Sequence, residues 1–435
     1  MGNTCFKTNE VADDKNKPER KKKEHVKEPK KNTKVEESHS DDIPSQRSAD
    51  PNDGTADAAD AAPPELSQKG VIAKIEALQH TMRPAVPVVS NTCLDPKFRQ
   101  FTPIFRQGAA ARCVASCEGA NRPQQVLAGG EDCSLALLNY ETGHVMRRWV
   151  RAHEKTINSI TRPLASGMFA TGGRDNMAKV WQLTQDDPVA ELGGHTMNVS
   201  SVDLHPTDPL LVSGSKDNTV RLWDLQQQEE LYCGDIKMNV VHFVKFVPTV
   251  GCVAQGGEDL TLRLWDVRKG PGGFDLSLSC TLEGLDYFPT CCEIIGSRPH
   301  TILTGHSGVN GCGSYIGEWD LRMQKCLRLY TGHKQTVSSL RLATPSVYGE
   351  DKFFSASKDG VVGMWSIATD PEVDEVAFTE QFPVPEGPIT SAECMDNGDF
   401  ITAHENGCMT VFKSAEKGGP PCKRYRYVGI MTSVR

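Results

Sequence analysis

From about residue 96 onward, short apolar runs alternate with turns rich in Gly, Asp and Asn, a pattern of strands rather than helices. The runs also repeat. TGGRDNMAKVW, SGSKDNTVRLW, GGEDLTLRLW and SASKDGVVGMW each set an Asp six positions ahead of a Trp: Asp175 and Trp181, Asp217 and Trp223, Asp259 and Trp265, Asp359 and Trp365. Two weaker copies, GGEDCSLALL and HENGCMTVF, keep the spacing with Asp132 and Leu138 and with Asn406 and Phe412. A seventh, LTGHSGVNGCGSYIGEW, reaches Trp319 after an enlarged turn. The copies end at 138, 181, 223, 265, 319, 365 and 412, a period of about 42 to 54 residues. Four short strands fill such a period. The expected fold is therefore all-β, a seven-bladed propeller over residues 96–435, preceded by an N-terminal tail over 1–95.

Within the repeat the polar residues have fixed places. The Asp falls in the turn between the second and third strands, where a short side chain tolerates turn geometry. Four residues earlier stands Thr171, Ser213, Ser355 or Thr402. Still earlier come His153 and His195, and, over a longer connection, His333. Two Gly-His pairs, at His144 and His306, occupy other places in the repeat and are set aside. Two segments compete to supply the outer strand of the last blade: KFRQFTPIF at 97–105 and the C-terminal KRYRYVGIM.

Net charge is −8, which argues against a general nucleic-acid binder. No 18-residue apolar run occurs and the N-terminus is polar, so neither a spanning helix nor a secretory signal is expected. The fifteen cysteines are odd in number and lack a C-x-x-C pair. Most are expected to be small buried hydrophobes of a cytosolic protein rather than disulfides or metal ligands. No phosphate-cradling, zinc-protease or nucleophile-elbow motif is present, so a non-enzyme without a cofactor is expected. Gly311, Cys312 and Gly313, with Gly317 beyond, open a strand rather than a helix and mark an exposed turn available to a partner.

The tail carries a different message. MGNTCFK offers Gly2 for myristoylation and Cys5 for palmitoylation, although Phe6 departs from the usual Ser or Thr at the sixth position. A basic run follows, with Lys15, Lys17, Arg20, Lys21, Lys22, Lys23, Lys27, Lys30, Lys31 and Lys34 giving a local net of +7. Residues 35–65 then carry a local net of −8. Both stretches are expected to be disordered. One acyl chain binds membranes marginally, so Cys5 or the basic run on anionic lipid would supply the second signal. Val71, Ile72, Ile75 and Leu78 predict a short amphipathic helix over 66–80, docked on the folded domain or, alternatively, on a partner or membrane.

The Asp-to-Trp repeats resemble the WD40 family. That resemblance implies a hydrogen-bonded chain of Trp, Ser or Thr, His and Asp inside each blade, which gives the residues above, Trp319 included, a structural role. The order of irregular repeats, GGEDCSLALLNYETGHVMRRW, then IKMNVVHFVKFVP, then SGVNGCGSYIGEWDLR, is similar to the family of WD repeat-containing protein 31. It implies a membrane-tethered scaffold for protein–protein interaction in ciliary or flagellar traffic, linked to intraflagellar and BBSome-dependent transport and to small-GTPase regulators. The place implied is the cytoplasmic side of a membrane at the ciliary base. An alternative comes from consecutive Trp-Asp-x-Arg boxes ending at Arg268 and Arg322. These resemble the adaptor-docking boxes of cullin-RING ubiquitin-ligase substrate receptors, in which the Arg would project beyond the strand.

Overall fold

The computed structural model describes residues 104–414, apart from positions 107, 237–238, 271–272, 350, 369 and 371–372, together with the backbone of Tyr425–Met431. Gly2, Cys5, the basic and acidic runs and the helix expected at 66–80 lie outside the described residues. Seven blade sheets follow one another along the chain, each with four antiparallel strands in chain order, the fifth gaining one further, parallel strand. Blade 1 comprises Ala111–Ser116, Gln125–Gly130, Leu135–Asn139 and His144–Trp149. Blades 2 to 7 begin with Ile157–Ile160, Val199–Leu204, Val241–Val247, Pro289–Ile294, Val337–Leu342 and Ile389–Cys394.

Burial follows position within the blade. Second strands such as Leu210–Ser215 and Cys252–Gly257 are buried at every residue, since both sides of the sheet pack against neighbouring blades. The outer strand His144–Trp149 instead alternates exposed and half-buried residues before its terminal Trp149. The apolar clusters lie between consecutive blades. Ala170, Ala178 and Val180 of blade 2, for example, meet Val199, Val202, Leu211 and Trp223 of blade 3.

Every first strand carries a one-residue bulge at the same place, which turns one extra side chain toward the next blade. At four junctions that side chain is a latch. Asn158 donates to the Val199 carbonyl, Ser200 to Val241, Thr290 to Val337 and Thr390 to Ala111, at 2.5–2.8 Å. The last of these bonds closes the ring, joining blade 7 to blade 1. Closure therefore uses the same device as the interior junctions.

The outer strand of blade 7 is Tyr425–Met431, paired with Met409–Ser414, so the C-terminal segment fills that edge. The rival segment ends differently from a strand. Residues 97–103 lie outside the description, while Ile104 and Phe105 are fully buried in the cluster between blades 7 and 1.

The Pro-rich stretch 370–388 contributes strands to two blades. Glu380–Pro383 is the outer strand of blade 6, and Glu375–Val376 pairs in parallel with Lys325–Tyr330, the outer strand of blade 5. It is a strap between the two blades. Phe378 packs on Trp365 at 4.3 Å and on His333 at 5.0 Å. A side chain at Gly332 or Gly363 would collide with its ring.

Candidate functional site

First strands line the channel, and the turns between strands form two faces. The upper face collects the turns joining second to third strands and the connections from each outer strand to the next blade. The lower face collects the remaining turns. Candidate chemistry occupies three places: the interior of the blades, the channel and the faces.

Inside blades 2, 3 and 6 the expected networks are complete. Trp181 Nε1 donates to Thr171 Oγ1 at 2.9 Å, His153 Nε2 meets the same hydroxyl at 2.7 Å, and His153 Nδ1 meets the Asp175 carboxylate at 2.9 Å. Trp223, Ser213, His195 and Asp217 repeat this chain at 2.8, 2.8 and 2.9 Å. Trp365, Ser355, His333 and Asp359 repeat it again. Each Asp also accepts the backbone N–H after its histidine and one in its own turn. Burial alone would raise these carboxyls. The histidine and backbone donors outweigh it and hold Asp175, Asp217 and Asp359 below the usual carboxylate range.

Of the other four blades, three rebuild the network in different ways and one drops most of it. In blades 5 and 7 the imidazole comes from the second strand, two residues after the Thr, as His306 and His404. His306 Nε2 meets Thr304 Oγ1 at 2.9 Å, Trp319 Nε1 donates to that hydroxyl, and His306 Nδ1 donates to the Tyr287 carbonyl. His404 meets Thr402 at 2.8 Å and Thr410 at 3.2 Å, with Gly387 O as its other partner. Setting His306 aside was therefore mistaken. The imidazole fills the same space from the opposite side, and a carbonyl replaces the carboxylate. Burial without a carboxylate partner lowers both histidines to about 4, so both are neutral at pH 7. The T-x-H of LTGH and ITAH does not single them out, since the same pattern ends at His144 and His333.

Blade 4 substitutes amides. Trp265 Nε1 donates to Gln255 Oε1 at 3.3 Å, Asp259 N donates to Asn239 Oδ1 at 3.2 Å, and Asp259 accepts the Thr261 hydroxyl. Blade 1 drops the Trp, Thr and His members and keeps only Asp132. Ala128 stands in the Thr place and Leu138 in the Trp place. Phe105 presses on Gly130 as His153 presses on Gly173, and Arg106 N donates to Asp132 as Glu154 N does to Asp175. Losing the three together strands no buried partner, and Asp132 is satisfied by Arg106 N, the Ser134 hydroxyl and Arg148.

The channel holds a cavity of about 360 Å³. Asp203, Lys245, Glu293, Arg341 and Glu393 occupy one register position in blades 3 to 7, so charge alternates around the ring. Arg341 pairs with both Glu293 and Glu393, and Arg162 closes on Glu393. Burial would raise Glu393, but the two guanidinium groups hold it low. Asp203 goes the other way. Its burial raises it despite Lys245 and the Phe246 N–H. These charges neutralise one another across blades and brace the channel wall.

Arg268 and Arg322 both lie on the lower side and are exposed, at 74% and 67% of the side chain. They are not structurally equivalent. Arg268 sits within a strand, opposite Asp275 in a hairpin formed by Leu262–Gly270 and Gly273–Leu282, rather than projecting after the strand as expected. Arg322 is in a tight turn whose N–H donates to Asp320. Each guanidinium pairs with its own box's Asp.

The enlarged turn of blade 5 is a small hairpin, Gly308–Val309 paired with Cys312–Gly313, on the upper face. Its Val309 and Cys312 are exposed, as are Val150, Met197 and Phe288 on the same face. Cys113, Cys117, Cys252, Cys292 and Cys394 are buried, and burial pushes the Cys113, Cys117, Cys252 and Cys394 thiols up to about 12.

The family model described as "WD domain, G-beta repeat" matches residues 144–182, 186–224 and 324–366. These segments hold the three complete networks and omit the four departing blades. No curated protein matches the chain by sequence. Among solved structures the chain is similar to the WD40 β-propeller domain of Doa1, at 19% identity and a TM-score of 0.58, over 73% of this chain and 97% of that one. The chain thus carries WD40 repeats and folds as a seven-bladed WD40 propeller.

Proposed function

We propose that the chain is a non-enzymatic scaffold for protein–protein interaction, held at a membrane by its N-terminal segment. The observation that carries the scaffold reading is where the chemistry-bearing residues go. His153, His195, His306, His333 and His404 are all engaged inside blades, while Val150, Met197, Phe288 and Val309 stand exposed on turns of the upper face; Val189, Val250 and Met323 are exposed on lower turns. Turns on a braced frame suit docking.

The membrane part rests on the sequence: Gly2 and Cys5 as acylation sites, with ten basic residues from Lys15 to Lys34 to lie on anionic lipid. The ciliary or flagellar setting rests on resemblance in the order of irregular blades. The ligase-receptor alternative loses support, because its two arginines stand in unlike backbone settings.

The test is localisation and membrane fractionation of a C-terminally tagged chain beside Gly2→Ala. The native chain is expected in the membrane fraction and at the ciliary base, and the variant in the cytosol. Equal, diffuse distribution of both would overturn the tether while leaving the propeller untouched.

A further inference from the structure

One sector of the upper face has unspent positive charge. The residue before the network Asp occupies an equivalent place in every blade, because its N–H donates to the residue just before the first-strand bulge. Arg174 donates in this way to Thr156, Lys216 to Asn198, Glu258 to Val240 and Lys358 to Thr336. These positions ring the channel mouth. Around blades 2 and 3 they are cationic, and the adjoining connections add Arg151 and Lys155. None of Arg151, Lys155, Arg174 and Lys216 makes an ion pair among the described residues, although Glu131 lies near enough to Arg174 to feel its charge and Glu154 is exposed beside Lys155.

Exposed apolar side chains stand among these cations: Val150 at 68% and Met197 at 51%. Arg151 is also exposed and held at φ 57°, in the left-handed region. The neighbouring sector is opposite in sign. Asp235, Glu258, Glu283 and Asp286 surround the connections of blades 4 and 5.

We infer that the upper face over blades 2 and 3 binds an acidic peptide segment of a partner protein, with Val150 and Met197 taking its apolar residues and Arg151, Lys155, Arg174 and Lys216 its carboxylates. The inference deepens the scaffold reading and rests on it. Charge complementarity selects the occupant. A nucleic acid or a flat anionic membrane laid over this face would also meet the acidic sector of blades 4 and 5, whereas a short peptide meets the basic sector alone. The apolar residues between the cations favour a peptide over a bare polyanion.

The test uses the purified full chain and a short fluorescein-labelled peptide of Asp, Glu and Leu, followed by anisotropy. A Lys-for-acid version and single-stranded DNA serve as competitors. The acidic peptide is expected to bind and to weaken as salt rises. Arg174→Glu with Lys216→Glu should weaken it roughly ten-fold, as loss and reversal of exposed charges at an interface does. Arg174→Lys should largely restore binding, and Arg322→Glu on the lower side should leave it unchanged. Val150→Ser with Met197→Ser should weaken binding without changing its salt dependence. Unchanged thermal midpoints would show that the variants are folded. Equal binding of the basic peptide, tighter binding of DNA through the same residues, or indifference to the double charge reversal would overturn the inference. A cellular partner that ignores that reversal would sink the acidic-peptide assignment while leaving the scaffold reading standing.

Discussion

At the level of single residues, the structure separates two kinds of buried histidine. His153, His195 and His333 face carboxylates, whereas His306 and His404 face only hydroxyls and carbonyls. The second pair is neutral because burial depresses it to about 4, below the ordinary 6.5. A depressed histidine means that the unfolded chain binds more protons between those two values. Stability contributed by neutrality is full above pH 6.5 and falls as pH drops toward 4, by roughly 3 kcal/mol per histidine over the window. The three low carboxyls add a further loss at lower pH still, as they protonate. His404→Gln is therefore expected to lower the thermal midpoint at pH 7 but to flatten its decline between pH 7 and 5, as followed by circular dichroism; a decline as steep as the native one would contradict the assignment. The sequence made the three complete networks legible through fixed spacing. It hid His306 and His404, because the repeat counts positions along the chain while an imidazole can reach one buried hydroxyl from either of two elements. Phe105 was hidden for the same reason. Its role is set by packing against Gly130, many residues away.

At the level of strands and turns, what the sequence missed lies where short segments act through tertiary partners. Residues 370–388 are rich in Pro and weak in periodicity, yet they supply one outer strand and a strap. Arg328 anchors that strap by donating to the Ala368, Asp370 and Val373 carbonyls. Its own counter-ion is Glu318, fully buried, which also accepts Arg298 and the Tyr330 hydroxyl. Removing one partner of a buried pair leaves a stranded charge, at a cost of about 3–5 kcal/mol. Arg328→Met is accordingly expected to lower the thermal midpoint and expose residues 370–378 to limited proteolysis. Arg328→Met with Glu318→Gln should recover part of the loss. Native-like resistance in the single variant would mean that Phe378 alone holds the strap.

At the level of the whole molecule, the repeat period foretold seven blades, and the ring closes with the same latch it uses inside. Sequence could not choose between the two terminal segments for the last outer strand, since both read as strands and only pairing with Met409–Ser414 decides. Function was least legible. The two faces differ in turn shape and charge distribution, which arise only when distant turns are brought together around the channel. The central claim is that the blades spend their reactive side chains on structure and leave the work to the upper face. The most direct measurement is crosslinking mass spectrometry of the tagged full chain in cells, beside Arg174→Glu with Lys216→Glu. Crosslinks to other proteins are predicted at Lys155 and, in the native chain, at Lys216, with those at Lys155 lost in the double variant. Partner crosslinks concentrated instead at Lys269 and Lys325 on the opposite side, and unaffected by the variant, would contradict the account.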